Sequence, residues 1–515
     1  MSSVSAPDAR TTEPRVGRRP WRRRWLVALV GGALAALLVV VSLGLLWAPA
    51  GIADNGDGQR LYCGAGLTPL TADGRSNWKG GVVLQFATGA PACPDPIVSS
   101  ALPMLELAAK GSGGTWSLVR LGLLYSLVLG AVTALAVWAL RPGARLVVLV
   151  PALVPLAGLT FSRFFVSTFS EPAGLLGTST LLLGAGVVAV TGRRERAERG
   201  VGLFLIAAGG LFAATAKTSY LPLLVVAVVL CAATAVQVGT RPRRRDRLVG
   251  GAVAVVVTLL AIAPVSASLR WQERRYAAVN AHNLIFTTVL PGVGDAAAAP
   301  LGLPAAAMPF AGRAYYPAGT KGVPGAATIA ADPGQARVAA YGVLLAHPQA
   351  AAKAVGVGLT STLGAELTYL PSAPLTSASV AQALGTTVGE QGAYGDQLQR
   401  WLDGLAVPWL PALVAAVGVA LGLSTIRRGD PAARAPLVRA LSRIAALAAV
   451  AALGLVAAAV LGDGFFEIAK HVWLAAYLLE VTAAAALAAA VVACVNRVKA
   501  RGVRSAREGG RSAGH

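Results

Sequence analysis

Five short stretches of this chain collect side chains of the types that do chemistry. GIADNGDGQRLYCG carries Asp54, Asp57 and Arg60, and FSRFFVSTFSEPAG carries Arg163, Ser167, Ser170 and Glu171. AKTSYLP carries Lys217; RWQERRYAAVNAHNLIF carries Arg274, Arg275, Asn280, His282 and Asn283; GDGFFEIAKHVW carries Asp463, Glu467, Lys470 and His471. Asp54 and Asp57 flank Asn55-Gly56, a pair that favours a turn with positive φ, and such a turn can aim both carboxylates the same way. Together they could hold a divalent cation, or one could act as general base toward a hydroxyl. The alternative is an ordinary Asx turn, in which an Asp caps its own backbone. Glu171 precedes Pro172 and belongs at a helix N-terminus, where a negative charge is favoured. Lys217, Lys470 and His471 could meet a lipid phosphate or serve as interface anchors. His282 reads as a hydrogen-bonding side chain.

The elements that must position these groups are membrane spans. With 55% hydrophobic and 13% charged residues in 515, and a mean hydropathy of +0.64, the chain has too much apolar surface for a soluble core. The fold class expected is all-α polytopic, with about ten spans near 25–47, 116–140, 146–161, 174–191, 201–216, 220–238, 248–268, 406–425, 444–461 and 472–494. The domain order follows: a basic tail (1–24), spans one to seven with an outer loop at 48–115 (25–268), a large extracytoplasmic segment (269–405), spans eight to ten (406–494) and a second basic tail (495–515). Within 269–405, ARVAAYGVLLAH and PQAAAKAVGVGL have helical patterns too short to span, and read as surface or roofing helices.

The net charge of +22 is explained by its placement. The two tails and alternate short loops, including RRPWRRRW, GRRERAERG and TRPRRRDR, hold 29 of the 45 Lys and Arg. By the positive-inside rule these segments and both termini are cytoplasmic in the plasma (inner) membrane, and no nucleic acid need be invoked. All five polar stretches then lie at the outer face. The first apolar run reads as a retained span, being longer than the usual core of a signal peptide; the alternative is a signal peptide cleaved at WAPAG. Cys63 and Cys93 share the first outer loop and are expected to form a disulfide; Cys231 and Cys494 read as apolar residues within spans.

This layout resembles the GT-C class of membrane glycosyltransferases, in particular bacterial glycan hexose transferases with a DNGD-like turn after span one. STFSEP (Ser167 to Pro172), AKTSY and GDGFFEIAKH match further segments of that pattern. The resemblance implies sugar transfer from a polyprenyl-phosphate donor to a lipid or glycan acceptor among the membrane lipids of the outer leaflet. Asp54 or Asp57 would orient or deprotonate the acceptor hydroxyl. Lys217, Lys470, His471, Arg274, Arg275 and Arg60 would neutralise phosphate, with His282 a further binding group. Glu171 would pair with a cation or touch sugar hydroxyls. The acidic motif is not the adjacent pair of protein O-mannosyltransferases, which leaves metal dependence open. Competing readings are a lipid-glycan flippase, which needs polar groups through the depth of the spans, and a non-catalytic assembly partner, in which the clusters are only anchors.

Overall fold

The computed structural model describes residues 19–72, 74–76, 81–237, 245–316, 319–375, 407–426 and 435–512. Most of the N-terminal tail, the middles of the TRPRRRDR and 426–443 connections and the 376–406 part of the large segment lie outside the described residues. The principal helices are α1 (Arg19–Ser42), α2 (Val119–Leu140), α3 (Glu171–Val190), α4 (Arg196–Ala214), α5 (Leu221–Ala233) and α6 (Asp246–Asn283). They continue with α7 (Pro333–Ala346), α8 (Pro348–Thr360), α9 (Leu410–Ser424), α10 (Pro436–Asp463), α11 (Ile468–His471) and α12 (Trp473–Ser512).

Each expected span has a helical counterpart, but they are not ten full crossings. Among the described residues seven helices are long and apolar enough to cross a membrane, or eight if the pair Ala144–Ala157 and Leu159–Phe165, bent by 76°, is one span. Proline at 151 and 155 and glycine at 158 interrupt the apolar run there. The 13-residue α5 and 15-residue α9 reach only about 20 Å. Both rest on longer neighbours, α5 on α4 and α6, α9 on α10 and α12.

α3 is the central helix: every residue from Glu171 to Val187 is buried. Its small residues permit that. A Cβ at Gly177 would lie 2.5 Å from the Ala213 amide nitrogen and 2.7 Å from the Gly209 carbonyl on α4. In lipid, where apolar burial between helices contributes little, such backbone contact supplies the packing. Gly177→Leu is therefore expected to destabilise the protein by about 1–3 kcal/mol, read as a lower unfolding temperature in detergent.

Three further features depart from the sequence expectation. The loop between α1 and α2 contains a small antiparallel sheet, Leu67–Pro69, Gln85–Thr88 and Thr115–Ser117 in that order, with Phe86 opposite Trp116 and Tyr62 against Phe86; the chain is mostly rather than wholly helical. The boundary read at 268/269 falls inside α6, which continues unbroken to Asn283 because RWQERRYAAVNAHN keeps good helix formers after the apolar run. The end of α6 and the π-helical turn that follows it, Leu284–Val289, anchor a second hydrophobic core, which gathers Ala281, Leu284 and Phe286 with Leu301, Ala340 and Val343. Finally, the arginine-rich connections read as topology signals also carry carboxylates that staple helices. Glu198 on α4 binds Arg24 of α1 (3.1 Å) and Arg141 after α2 (2.8 Å), and Glu195 binds Arg145 (2.8 Å).

Candidate functional site

The site lies at the other end of the bundle, where α1 ends, α3 begins, α4 ends and α12 begins. After α1 the chain is tied to the 366–375 strap: the Gly51 and Ala53 amides donate to the carbonyls of Ser372 (2.9 Å) and Pro371 (2.8 Å). The strap is pinned from below by buried Arg163, whose Nη1 donates to the Ser372 hydroxyl (2.6 Å) and the Leu370 carbonyl (3.3 Å), and whose Nη2 donates to the Glu366 carbonyl.

The DNGD turn separates its two carboxylates. Asp54, 7% exposed, accepts the amide N–H groups of Gly56 and Gly58 on Oδ1, both at 2.8 Å, and the Ser76 hydroxyl on Oδ2. Gly56 sits at φ +107°, and a Cβ at Gly58 would strike the Asp54 carboxylate and the Thr168 hydroxyl. Burial raises the Asp54 pKa, against the pull of these donors. Asp54 thus holds the turn, and the turn delivers Asp57. Asp57 Oδ1 receives Arg60 at 2.7 Å and Oδ2 receives Lys470 at 2.5 Å.

Lys470, on α11, is 2% exposed in side-chain area. Besides Asp57, its Nζ donates to the Asn55 side-chain Oδ1 (3.0 Å) and meets a Glu467 oxygen (4.0 Å) and the Phe169 ring (4.6 Å). Burial alone would discharge this ammonium, but the carboxylates of Asp57, Glu171 and Glu467 outweigh it and raise its pKa. The partner shift agrees: burial opposes ionisation of Asp57, yet Lys470, Arg60 and Lys217 hold it well below the usual carboxylate range. The second pair lies beside the first. Lys217 Nζ is 2.8 Å from Glu171 Oε1, while the Ser170 hydroxyl donates to Oε2 at 3.2 Å.

A polar rim completes the arrangement. Glu467 adopts φ +43°, ψ +36°, which brings its carboxylate to the Asn55 amide at 3.3 and 3.4 Å. His471 Nε2 lies 3.5 Å from Asp463 Oδ2, and Asp463 Oδ1 accepts from Asn283 at 2.8 Å. Burial, then the charges of Lys217 and Lys470, lower the His471 pKa to about 3, so the imidazole is neutral at physiological pH. Tyr369 on the strap completes this side; its phenol is pushed up to about 12, by burial first and then by the Glu467 carboxylate.

Asp54, Asp57, Arg60, Glu171, Lys217, Lys470 and His471 therefore come together. Arg274 and Arg275 do not join them: both are exposed and bind Asp95, at 3.2 and 3.3 Å. His282 is also elsewhere, stacked on Phe286 with Nε2 3.1 Å from the Arg313 carbonyl. Helix geometry explains both. Tyr276 turns its ring under the Arg60 guanidinium (4.5 Å), so with 100° per residue the face of α6 toward the site is Gln272, Tyr276, Asn280 and Asn283. Positions 274, 275 and 282 lie well off that face. Asn55, Tyr276, Asn283, Tyr369, Asp463 and Glu467 are the site residues that sequence reasoning left unassigned; the polar i, i+4, i+8, i+11 stripe on α6 was the available signal for two of them.

Cys63 and Cys93 are joined in a disulfide, with Cα atoms 5.5 Å apart. Two residues on, Asp95 takes Arg274 and Arg275, and its carbonyl takes the Trp271 indole at 3.2 Å. The two arginines thus brace the first loop on α6 instead of meeting the central charges. Cys63→Ser is expected to lower stability by about 3.5 kcal/mol, the loop-entropy scale for a closure of 30 residues, with Cys93→Ser equivalent and the double variant no worse. As for a divalent cation, every oxygen of Asp54 and Asp57 already has a donor, and among the described residues no three His, Cys, Asp or Glu are grouped to hold a metal.

A helical bundle with several spans and a charged site at one end is a multi-pass membrane protein. More particularly, residues 21–508 match the family model described as the YfdI N-terminal transmembrane domain, and the chain belongs to that family. No curated protein and no solved structure gives a significant match.

Proposed function

We propose that this protein is an envelope glycosyltransferase that moves a sugar from a polyprenyl-phosphate donor to a lipid or glycan acceptor. One observation carries the reading: Asp57, Lys470, Glu171 and Lys217, from four distant parts of the chain, form two adjacent acid–base pairs at the ends of spans. That is the depth at which the head group of a lipid-linked donor lies. With the N-terminus cytoplasmic in the plasma membrane, as the arginine-rich connections favour, this end faces outward.

In this mechanism the donor phosphate enters among Lys470, Lys217 and Arg60 and draws their charge. Asp57, relieved of its cations, regains basicity. The acceptor hydroxyl attacks the anomeric carbon, its proton passes to Asp57, the bond from that carbon to the phosphate oxygen breaks, and polyprenyl phosphate leaves with its charge held by the lysines. Asp54 acts by holding the turn. Two features speak against the alternatives. A flippase needs polar groups through the membrane, whereas beyond Glu171 the buried central helix offers only hydroxyls, glycine and apolar side chains. A scaffold needs only a staple such as Glu198 supplies elsewhere, whereas here two ion pairs converge at the span ends.

The test is transfer of radiolabelled sugar from polyprenyl-phosphate donors in membranes containing wild type, Asp57→Asn or Asp54→Asn at matched folded amounts. Asp57→Asn keeps the shape and is expected to reduce transfer by about 100-fold. Asp54→Asn should act chiefly on the folded yield. Wild-type transfer in Asp57→Asn would refute the assignment, and no transfer from any donor would refute the activity.

A further inference from the structure

Aromatic residues are only 6% of this chain, yet several rings border the charged site. Tyr276 lies under Arg60; Tyr315 and Tyr316 touch at 4.9 Å; Tyr316 reaches Phe466 at 6.0 Å; and Phe466 directly precedes Glu467. Across the cluster, Tyr369 directly precedes Leu370 and Pro371, whose carbonyls take Arg163 and the Ala53 amide at the start of the DNGD turn. Tyr316 and Tyr369, 47% and 49% exposed, are the two exposed tyrosines among the described residues. Exposed aromatics in a membrane protein ordinarily form a belt around its perimeter at the lipid interface, as tryptophans 21, 25, 47 and 409 could here. The tyrosines and Phe466 instead adjoin side chains of the ion cluster.

The chemistry of the neighbours narrows the ligand. Aromatic faces carry partial negative charge and attract C–H groups of positive character. A quaternary ammonium would suit such rings, but Lys470, Lys217 and Arg60 repel it. An acidic sugar is opposed by Asp57, Glu171, Glu467 and Asp463. With these charges nearly balanced, the part of the ligand that lies on the rings, apart from any phosphate held by the lysines, is favoured when uncharged, with one C–H face and a rim of hydroxyls. We infer that Tyr316, Phe466 and Tyr369 form a binding site for a neutral pyranose, its C–H face on the rings and its hydroxyls on Asn55 and Glu467. The inference deepens the transferase reading and rests on it for the substrate that carries the pyranose, donor or acceptor.

The experiment is saturation-transfer NMR on the full-length protein in detergent. The probes are neutral trisaccharides of mannose, glucose and galactose, the matching hexose 1-phosphates, glucuronate and choline. Neutral sugars should receive saturation through their C–H protons. Tyr316→Ala and Phe466→Ala should each weaken binding by roughly threefold to tenfold, the scale of one lost aromatic contact, while Tyr316→Phe retains it and keeps the test valid if an alanine variant misfolds. Stronger signal from the trisaccharides assigns the site to the acceptor, and stronger signal from the 1-phosphates to the donor. Unchanged binding in both alanine variants, no signal from any neutral sugar, or preference for choline or glucuronate would overturn the proposal. Sugar binding that depends on Tyr316, without consumption of any lipid-linked donor, would remove the transferase reading and leave this site standing. Transfer with wild-type sugar binding in both alanine variants would do the reverse.

Discussion

Lys470→Met is expected to reduce the proposed sugar transfer by about 100- to 1000-fold, the scale of removing one preorganised electrostatic contact to a developing charge. Its ammonium is the most buried cation of the site and touches Asp57, Asn55 and Phe169 from one position, so no neighbour can take its place. The same change strips Asp57 of one of its two cations and leaves Glu171 with Lys217 alone. Breaking a buried ion pair by removing one partner costs about 3–5 kcal/mol. Because Asp57 is 36% exposed and keeps Arg60, the lower end of that range applies. Two measurements separate the effects: label transfer per folded molecule, and thermal unfolding in detergent. In Asp57→Asn/Lys470→Met the second substitution should cost much less than it does alone, since the charge left unpaired is already gone. Additive losses would show that the two side chains act apart, against the geometry.

The second large effect is a loss of stability in mild acid carried by His471. In the unfolded chain its pKa is near 6.5, and in the folded protein it is about 3. Between those values the unfolded chain binds a proton that the folded chain refuses. Stability that is full above pH 6.5 therefore falls as the pH drops, by about 1.4 kcal/mol per unit and some 3 kcal/mol by pH 4. Asp57 works in a different window: its depressed folded pKa contributes stability that is present above about pH 4 and lost only below it. Unfolding temperatures measured from pH 7.5 to 3 should thus decline in the wild type. His471→Asn, which removes the titrating group, should flatten that decline and leave the loss below pH 4 in place. A slope unchanged by the substitution would assign the acid sensitivity to another group.

Much of this protein was legible along the chain because the governing forces are local or periodic. Apolar runs mark each helix, since a segment in lipid must satisfy its own backbone. Asn55-Gly56 with its flanking Asp residues defines a turn by its own dihedral preferences and side-chain acceptors, and Gly56 has the positive φ this needs. Cys63 and Cys93 pair as expected. The sequence also marked the ends of spans where mixed charges gather. It did not determine which of those charges meet. DNGD leaves Asp54 and Asp57 equivalent, and only the close approach of Ser76, Thr168 and Lys470 makes one the keystone of a turn and the other half of an ion pair. Arg274 and Arg275 look like phosphate ligands until the rotation of α6 turns Tyr276 and Asn283 to the site and the arginines to Asp95. Contacts spanning 413 residues, such as Lys470 to Asp57, depend on how helices pack and rotate against one another. Small residues such as Gly177 permit that packing, but its angles arise from all the surfaces together, so the assignment of roles within the site belongs to the tertiary structure.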